Sequence, residues 1–218
     1  QIIARMNVGG PAVIVAELMR GLDPMRFQVI LVTGNCADDE ADYLFEVAQD
    51  IPAIRIGSLG RSVSLFGDVQ SFFRMLKLIR EFKPHIIHTH TAKAGVLGRI
   101  ASLIAYPRAR RIHTFHGHLL HGYFAPWKTK LVIYIERLLA SVSSALIAIG
   151  NQVKDDLLSV KIGKLEKYSV IFPGLDELVT QSKSSARNEL GIEQDGTYIV
   201  FVGRLTQIKR PDRLIEIA

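Results

Sequence analysis

Cysteine is nearly absent from this 218-residue chain: Cys36 stands alone, so no internal disulfide can form. A single thiol fits a reducing compartment, whereas small secreted domains lean on several bridges. Missing too is any run of about 18 apolar residues able to span a bilayer. The long uncharged stretch from Leu138 to Val153 is broken by Ser, Gly and Asn. No charged start, apolar core and small-residue cleavage site opens the chain, so the expected location is the cytoplasm, with a peripheral position at the inner membrane face allowed for. No acidic residue closes the second candidate strand, and the three spaced glycines of a dinucleotide fingerprint are absent, which argues against an NAD-dependent enzyme. Carboxylates are lacking from Phe82 through Ile135.

What is present describes an ordinary globular protein, with 48% apolar and 22% charged residues. Lys and Arg number 27 against 21 Asp and Glu, a formal charge of +6. That excess suits an anionic partner such as a nucleotide, a phosphorylated sugar or an acidic lipid. Nucleic acid is not expected, because the cations are not clustered with interleaved aromatics and no known module is visible.

Apolar runs alternate with amphipathic stretches, the pattern of parallel strands joined by helices. Strands are predicted at 1–5, 27–33, 53–56, 85–90, 111–115, 145–149, 168–172 and 198–202, with helices at 11–20, 38–49, 66–82, 93–105, 127–141, 151–159, 183–190 and from 209 onward. This is a Rossmann-like, doubly wound α/β sheet. A closed eightfold barrel needs roughly 250 residues around one core, and Phe172-Pro173-Gly174 followed by a polar stretch breaks this chain in two. The expected domains are 1–173, a linker and entry at 174–196, and the start of a second, truncated Rossmann-like domain at 197–218. An opening inside a strand without Met, and an end inside a helical period, make a fragment the expectation.

Four places could carry chemistry. Asn7-Val8-Gly9-Gly10-Pro11 lies between the first strand and a helix; Gly lets a ligand approach the backbone, Pro11 suits the first helical turn, and the helix end favours phosphate. All seven histidines fall between His85 and His121. His85, His88 and His90 lie on one strand, and His113, His116, His118 and His121 run from the next strand into its loop. Several should meet at the carboxyl edge of the sheet, as a polar acceptor or substrate site, as metal ligands, or as satisfied core residues. The missing carboxylates weaken the metal reading. Arg204 and Lys209, five apart after an apolar strand, could clamp a diphosphate. Aromatics and cations around Trp127 and Lys128 could dock on an anionic membrane surface, although Leu131, Ile135, Leu138 and Leu139 suggest that most of this helix packs on the sheet.

Together, Asn7-Val8-Gly9-Gly10-Pro11-Ala12, Pro84 to Gly95 with His88, His90 and Lys93, His113-Thr-Phe-His116-Gly117-His118, and Val202-Gly203-Arg204-Leu205 with Lys209 resemble the retaining GT-B glycosyltransferases of family 4, group 1. The resemblance covers essentially the whole chain. It implies a metal-independent transfer, without a cofactor, of a sugar from a UDP- or GDP-linked donor to a sugar or lipid-linked acceptor in polysaccharide synthesis. By position, Gly9 and Gly10 would offer amides to the donor diphosphate, and His116 would sit beside the donor sugar. His90, Lys93 and His118 would face the acceptor, while Arg204 and Lys209 would hold the diphosphate and stabilise the leaving nucleotide. Pro173-Gly174-Leu175-Asp176 stands where relatives often carry Asn-Gly before an Asp, and the donor-side glutamates of the family are not in the sequence, so the fragment alone is expected to be inactive. The rival readings are a nucleotide-sugar epimerase of the same fold, a metal-dependent hydrolase built on the histidines, and a non-catalytic carbohydrate-binding module.

Overall fold

Seven strands run parallel in one sheet: β1 (Ile2–Arg5), β2 (Leu31–Gly34), β3 (Ala53–Arg55), β4 (Ile86–His90), β5 (Arg110–Phe115), β6 (Ala145–Ala148) and β7 (Tyr168–Val170). Their order is β3-β2-β1-β4-β5-β6-β7. This computed structural model describes residues 1–117, 126–174, 180–203 and 210–217. The chain divides into two units, Gln1–Leu175 and Asp176–Ala218. Because β1 is followed outward by β2 on one side and flanked by β4 on the other, the strand order reverses between β1 and β4. In an open sheet a crevice forms there at the carboxyl ends of the strands.

Period-2 alternation sends neighbouring side chains to opposite faces. Ile3 joins Met6, Leu31 and the buried Ala12, Val15 and Ala16 of α1 (Gly10–Gly21). Ile2 and Ala4 instead join Ile87, Met75 and Ile79 of α3 (Leu65–Phe82), and Ala94 and Ala101 of α4 (Ala92–Ala105). A third cluster joins Phe115, Leu146 and Ala148 to Ala140 of α5 (Pro126–Val142) and to Val153 and Leu157 of α6 (Asn151–Ser159). Each fully buried Val, Leu, Ile, Phe or Met side chain contributes about 1.5–3 kcal/mol and each Ala less, so these three clusters hold the sheet edge in place.

Two expectations are corrected. The helix predicted at 38–49 is a single turn, α2 (Tyr43–Glu46), begun by Asp42, whose carboxylate accepts from Leu44 N at 3.0 Å. Residues 198–202 form no strand and pair with none among the described residues, and Ile199, Val200 and Val202 are exposed. A strand needs a ladder partner to satisfy its backbone. In that second unit, Ser182 caps α7 (Lys183–Leu190), Gly191 ends it at φ 66, and α8 spans Pro211–Ile217. Among the described residues, no helix is long and apolar enough to cross a membrane.

Candidate functional site

The turn after β1 leads straight into α1 without a side-chain cap: Gly9 is the N-cap, and Pro11 occupies the first turn. Ala12 N and Val13 N donate to Gly9 O at 3.1 and 3.2 Å. The amides of Gly9 and Gly10 have no hydrogen-bond partner among the described residues. A Cβ at Gly10 would meet nothing within 4 Å, and one at Gly9 only Asn7 O at 3.8 Å. Protein packing therefore does not demand glycine at either position, and bare backbone faces open space. The helices after β4 and β6 also start without side-chain caps, at Thr91 and Gly150. Uncapped helix ends at the carboxyl edge present partial positive charge to an anion.

The histidines pack across β4 and β5, which pair His88 with Ile112 and His90 with Thr114. His88 Nε2 lies 2.7 Å from Thr114 Oγ1, and His113 Nδ1 lies 2.8 Å from Thr89 Oγ1. His90 Nδ1 meets His116 Nε2 at 2.9 Å, and its Nε2 meets Gln1 Oε1 at 2.8 Å. Burial, the dominant cause, lowers every one of these pKa values: His88 to about 3, His116 to about 4, and His90 and His113 well below the usual value. All four rings are neutral at pH 7. Thr91, directly after His90, sits at φ 66, a strained setting for a β-branched residue that costs on the order of 1–3 kcal/mol. Its hydroxyl accepts from Ala4 N at 3.3 Å and so ties the strained turn to β1.

Placement of the predicted residues is uneven. Gly9, Gly10, His90 and His116 all belong to the carboxyl edge of β1, β4 and β5. His90 does not face an acceptor as expected: it is fully buried, with both ring nitrogens engaged, behind His116. Lys93 lies at the start of α4, but its ammonium is held by the Asp68 carboxylate and by Ser62 O at 2.7 Å. His118, Arg204 and Lys209 lie outside the described residues, as does His121. Sequence reading missed Gln1 and Thr91; Gln1 shares its face with Ile3, the register partner of His90, a relation that only strand pairing reveals.

His90 Nδ1 and His116 Nε2 face each other across a hydrogen bond, so they do not converge on a third atom. Among the described residues no group of three His, Cys, Asp or Glu could hold an ion. A cavity of about 700 Å³ lies at the opposite, amino edge of the sheet, lined by Leu22, Phe27, Ile30, Phe82 and Ile86. Gln1, Arg26, Lys83, His85 and His88 also line it, and it occupies the place where β1 is too short to pair with the start of β4.

The helix α5 packs on the sheet as expected through Leu139, but Leu131 and Leu138 face outward. Its inward residues are Glu136, Leu139 and Ala140, whereas Trp127, Leu131, Tyr134 and Leu138 are 64%, 51%, 59% and 54% exposed. Their 4-3-4 spacing makes one apolar stripe on the outer face.

A doubly wound sheet with free amides, uncapped helix ends and neutral histidines at its switch point defines the class: a Rossmann-like half of the kind that binds ligands at the carboxyl edge of its strands. The chain belongs to Glycosyltransferase Family 4, whose family model matches residues 8–177. It is 30% identical over 81% of its length to an Escherichia coli UDP-Gal:alpha-D-GlcNAc-diphosphoundecaprenol alpha-1,3-galactosyltransferase, covering 46% of that protein. The fold is similar to that of Anabaena HepE, solved with UDP and glucose, at a TM-score of 0.60 and 20% identity over 87% of this chain and 49% of that one. A putative UDP-N-acetylglucosamine 2-epimerase from Listeria monocytogenes shares the fold as well, at a TM-score of 0.56 and 16% identity over 77% and 43% of the two chains. The chain thus spans about half the length of the relatives it matches.

Proposed function

We propose that this chain is the acceptor-side half of a GT-B glycosyltransferase that moves a sugar from a nucleoside diphosphate to a sugar or lipid-linked acceptor. The observation that carries the reading is the bare Gly9-Gly10 backbone, with both amides unpartnered, on the same edge of the sheet as His116. The amides would receive the donor diphosphate, and His116 would stand beside the donor sugar. Arg204 and Lys209 would hold the diphosphate and stabilise the charge that grows as the nucleotide leaves, a task fixed cations perform without a metal. Lys93 and His118 remain the acceptor-side residues. The transfer would proceed by front-face attack with a retained anomeric configuration.

The outer stripe of α5, beside Lys128 and Lys130, supports docking at an anionic membrane surface on the cytoplasmic side, where a lipid-linked acceptor would lie. The test of the whole reading uses the whole protein, UDP- and GDP-hexoses and a polyprenyl-diphosphate sugar acceptor. Labelled sugar should appear on the acceptor, with the donor's anomeric configuration and without loss in EDTA. Inversion at sugar C2 without an acceptor would identify an epimerase, and stoichiometric zinc needed for hydrolysis would identify the metal enzyme.

A further inference from the structure

Gln1, His90 and His116 form one hydrogen-bonded row across β1, β4 and the end of β5. A neutral imidazole carries a single N–H, on one nitrogen or the other. Gln1 Oε1 faces His90 Nε2 at 2.8 Å; with the amide turned this way its oxygen can only accept, which puts the hydrogen of His90 on Nε2. His90 Nδ1 is then a bare lone pair. It can only accept, which puts the hydrogen of the second ring on His116 Nε2, 2.9 Å away. His116 Nδ1 is left without a hydrogen. That atom is buried and has no hydrogen-bond partner among the described residues.

We propose that Gln1 and His90 are positioning residues that lock His116 in the Nε2–H tautomer, so that its Nδ1 meets the ligand as a hydrogen-bond acceptor. The consequence is chemical selectivity within the site. A lone pair repels phosphate and carboxylate oxygens, which carry no hydrogen when ionised, and accepts from a hydroxyl. His116 therefore takes a sugar hydroxyl, and the diphosphate is left to the glycine amides. Burial strengthens the lock, because it keeps both rings neutral at pH 7 and so leaves one hydrogen to each. The sugar assignment rests on the transferase reading; the tautomer does not.

Long-range nitrogen–proton correlation NMR on the nitrogen-15-labelled, ligand-free protein separates protonated from bare ring nitrogens. The expected spectrum has His90 and His116 protonated on Nε2 and bare on Nδ1. A His116 protonated on Nδ1, or one averaged between the two forms, overturns the proposal. In Gln1→Leu the pin is gone, and the two His116 nitrogens should move toward each other, while His113, whose contact is to Thr89 outside the row, keeps its signals and reports that the fold is intact. An unmoved His116 in that variant overturns the role of Gln1. Should Gln1→Leu fail to fold, Gln1→Met, which is unbranched and of similar length, makes the same test, and the unmodified protein alone already decides the tautomer. A protein with the expected tautomer that transfers no sugar would overturn the transferase reading and leave this inference in place.

Discussion

Arg99 reaches Glu136 with one nitrogen only: Nη2 donates to both carboxylate oxygens, at 2.7 and 2.8 Å, while Nη1 has no partner among the described residues. Arg99 Nε also donates to Gly95 O at 2.8 Å, and the ion pair is shut away from solvent between α4 and α5. Removing one partner leaves an uncompensated buried charge. Glu136→Ala should therefore lower stability by about 3–5 kcal/mol, whereas the double change Arg99→Met with Glu136→Leu should come out near neutral or stabilising. Urea unfolding of the three proteins checks this; a single variant as stable as the parent would refute it.

Two glycines should answer alanine in opposite ways. A Cβ on Gly95 would lie 2.6 Å from His113 Cε1 and 3.1 Å from Arg99 Nη2, so Gly95→Ala should cost about 1–3 kcal/mol despite the better helix propensity of alanine. A Cβ on Gly10 meets nothing, and Gly10→Ala should keep the unfolding midpoint. In the whole protein it should instead weaken UDP binding about tenfold, or roughly 1.4 kcal/mol. Calorimetry of unfolding and of UDP binding reads both halves of the contrast.

Acid should destabilise the fold well before most carboxylates titrate. The folded-state pKa of His116 is lowered from 6.5 to about 4 and that of His88 to about 3, and His90 and His113 lie well below 6.5. Between those values and 6.5 the unfolded chain binds protons that the folded one does not. Stability is then full above about pH 6.5 and falls on acidification toward pH 4, by about 1.4 kcal/mol per pH unit for each such ring. Urea midpoints measured from pH 8 to pH 4.5 should decline steeply below 6.5. A flat profile would mean that the rings are not buried as described.

Membrane docking by α5 predicts sedimentation with vesicles of anionic phospholipid at low salt, falling as ionic strength rises. Tyr134→Glu should abolish it, because a charge enters the centre of the apolar stripe while the inward face of Leu139 and Ala140 is untouched. Sedimentation of Tyr134→Glu like the parent would place the contact elsewhere.

Strand positions were legible because each parallel strand is a short β-rich run between amphipathic stretches, and β4 and β5 lie within a residue of their predicted limits. The length of α2 was not, since residues 38–41 (Asp, Asp, Glu and Ala) read as part of its period and only the Asp42 cap fixes where it begins. The exposed side of α5 was misjudged because Leu131 and Leu138 are as apolar as Leu139, and the inward place of Glu136 rests on a partner distant in sequence, Arg99. At the site, the clustering of histidine and the glycine turn could be read directly. The burial of His90 and the engagement of Lys93 could not, because both depend on partners distant in sequence: Gln1 for one, Asp68 and Ser62 for the other.

The tie between Lys93 and Asp68 sets a condition on whatever comes to that lysine. A neutral hydroxyl offers too little to dislodge a carboxylate already in contact with the ammonium, so it would pass Lys93 by. A phosphate or carboxylate group could exchange with Asp68, and in leaving, Asp68 would free the first turn of α3 from the first turn of α4. Arrival of a charged group would then break this one ion pair, while Met75, Ile79, Ala94 and Ala101 keep the two helices packed.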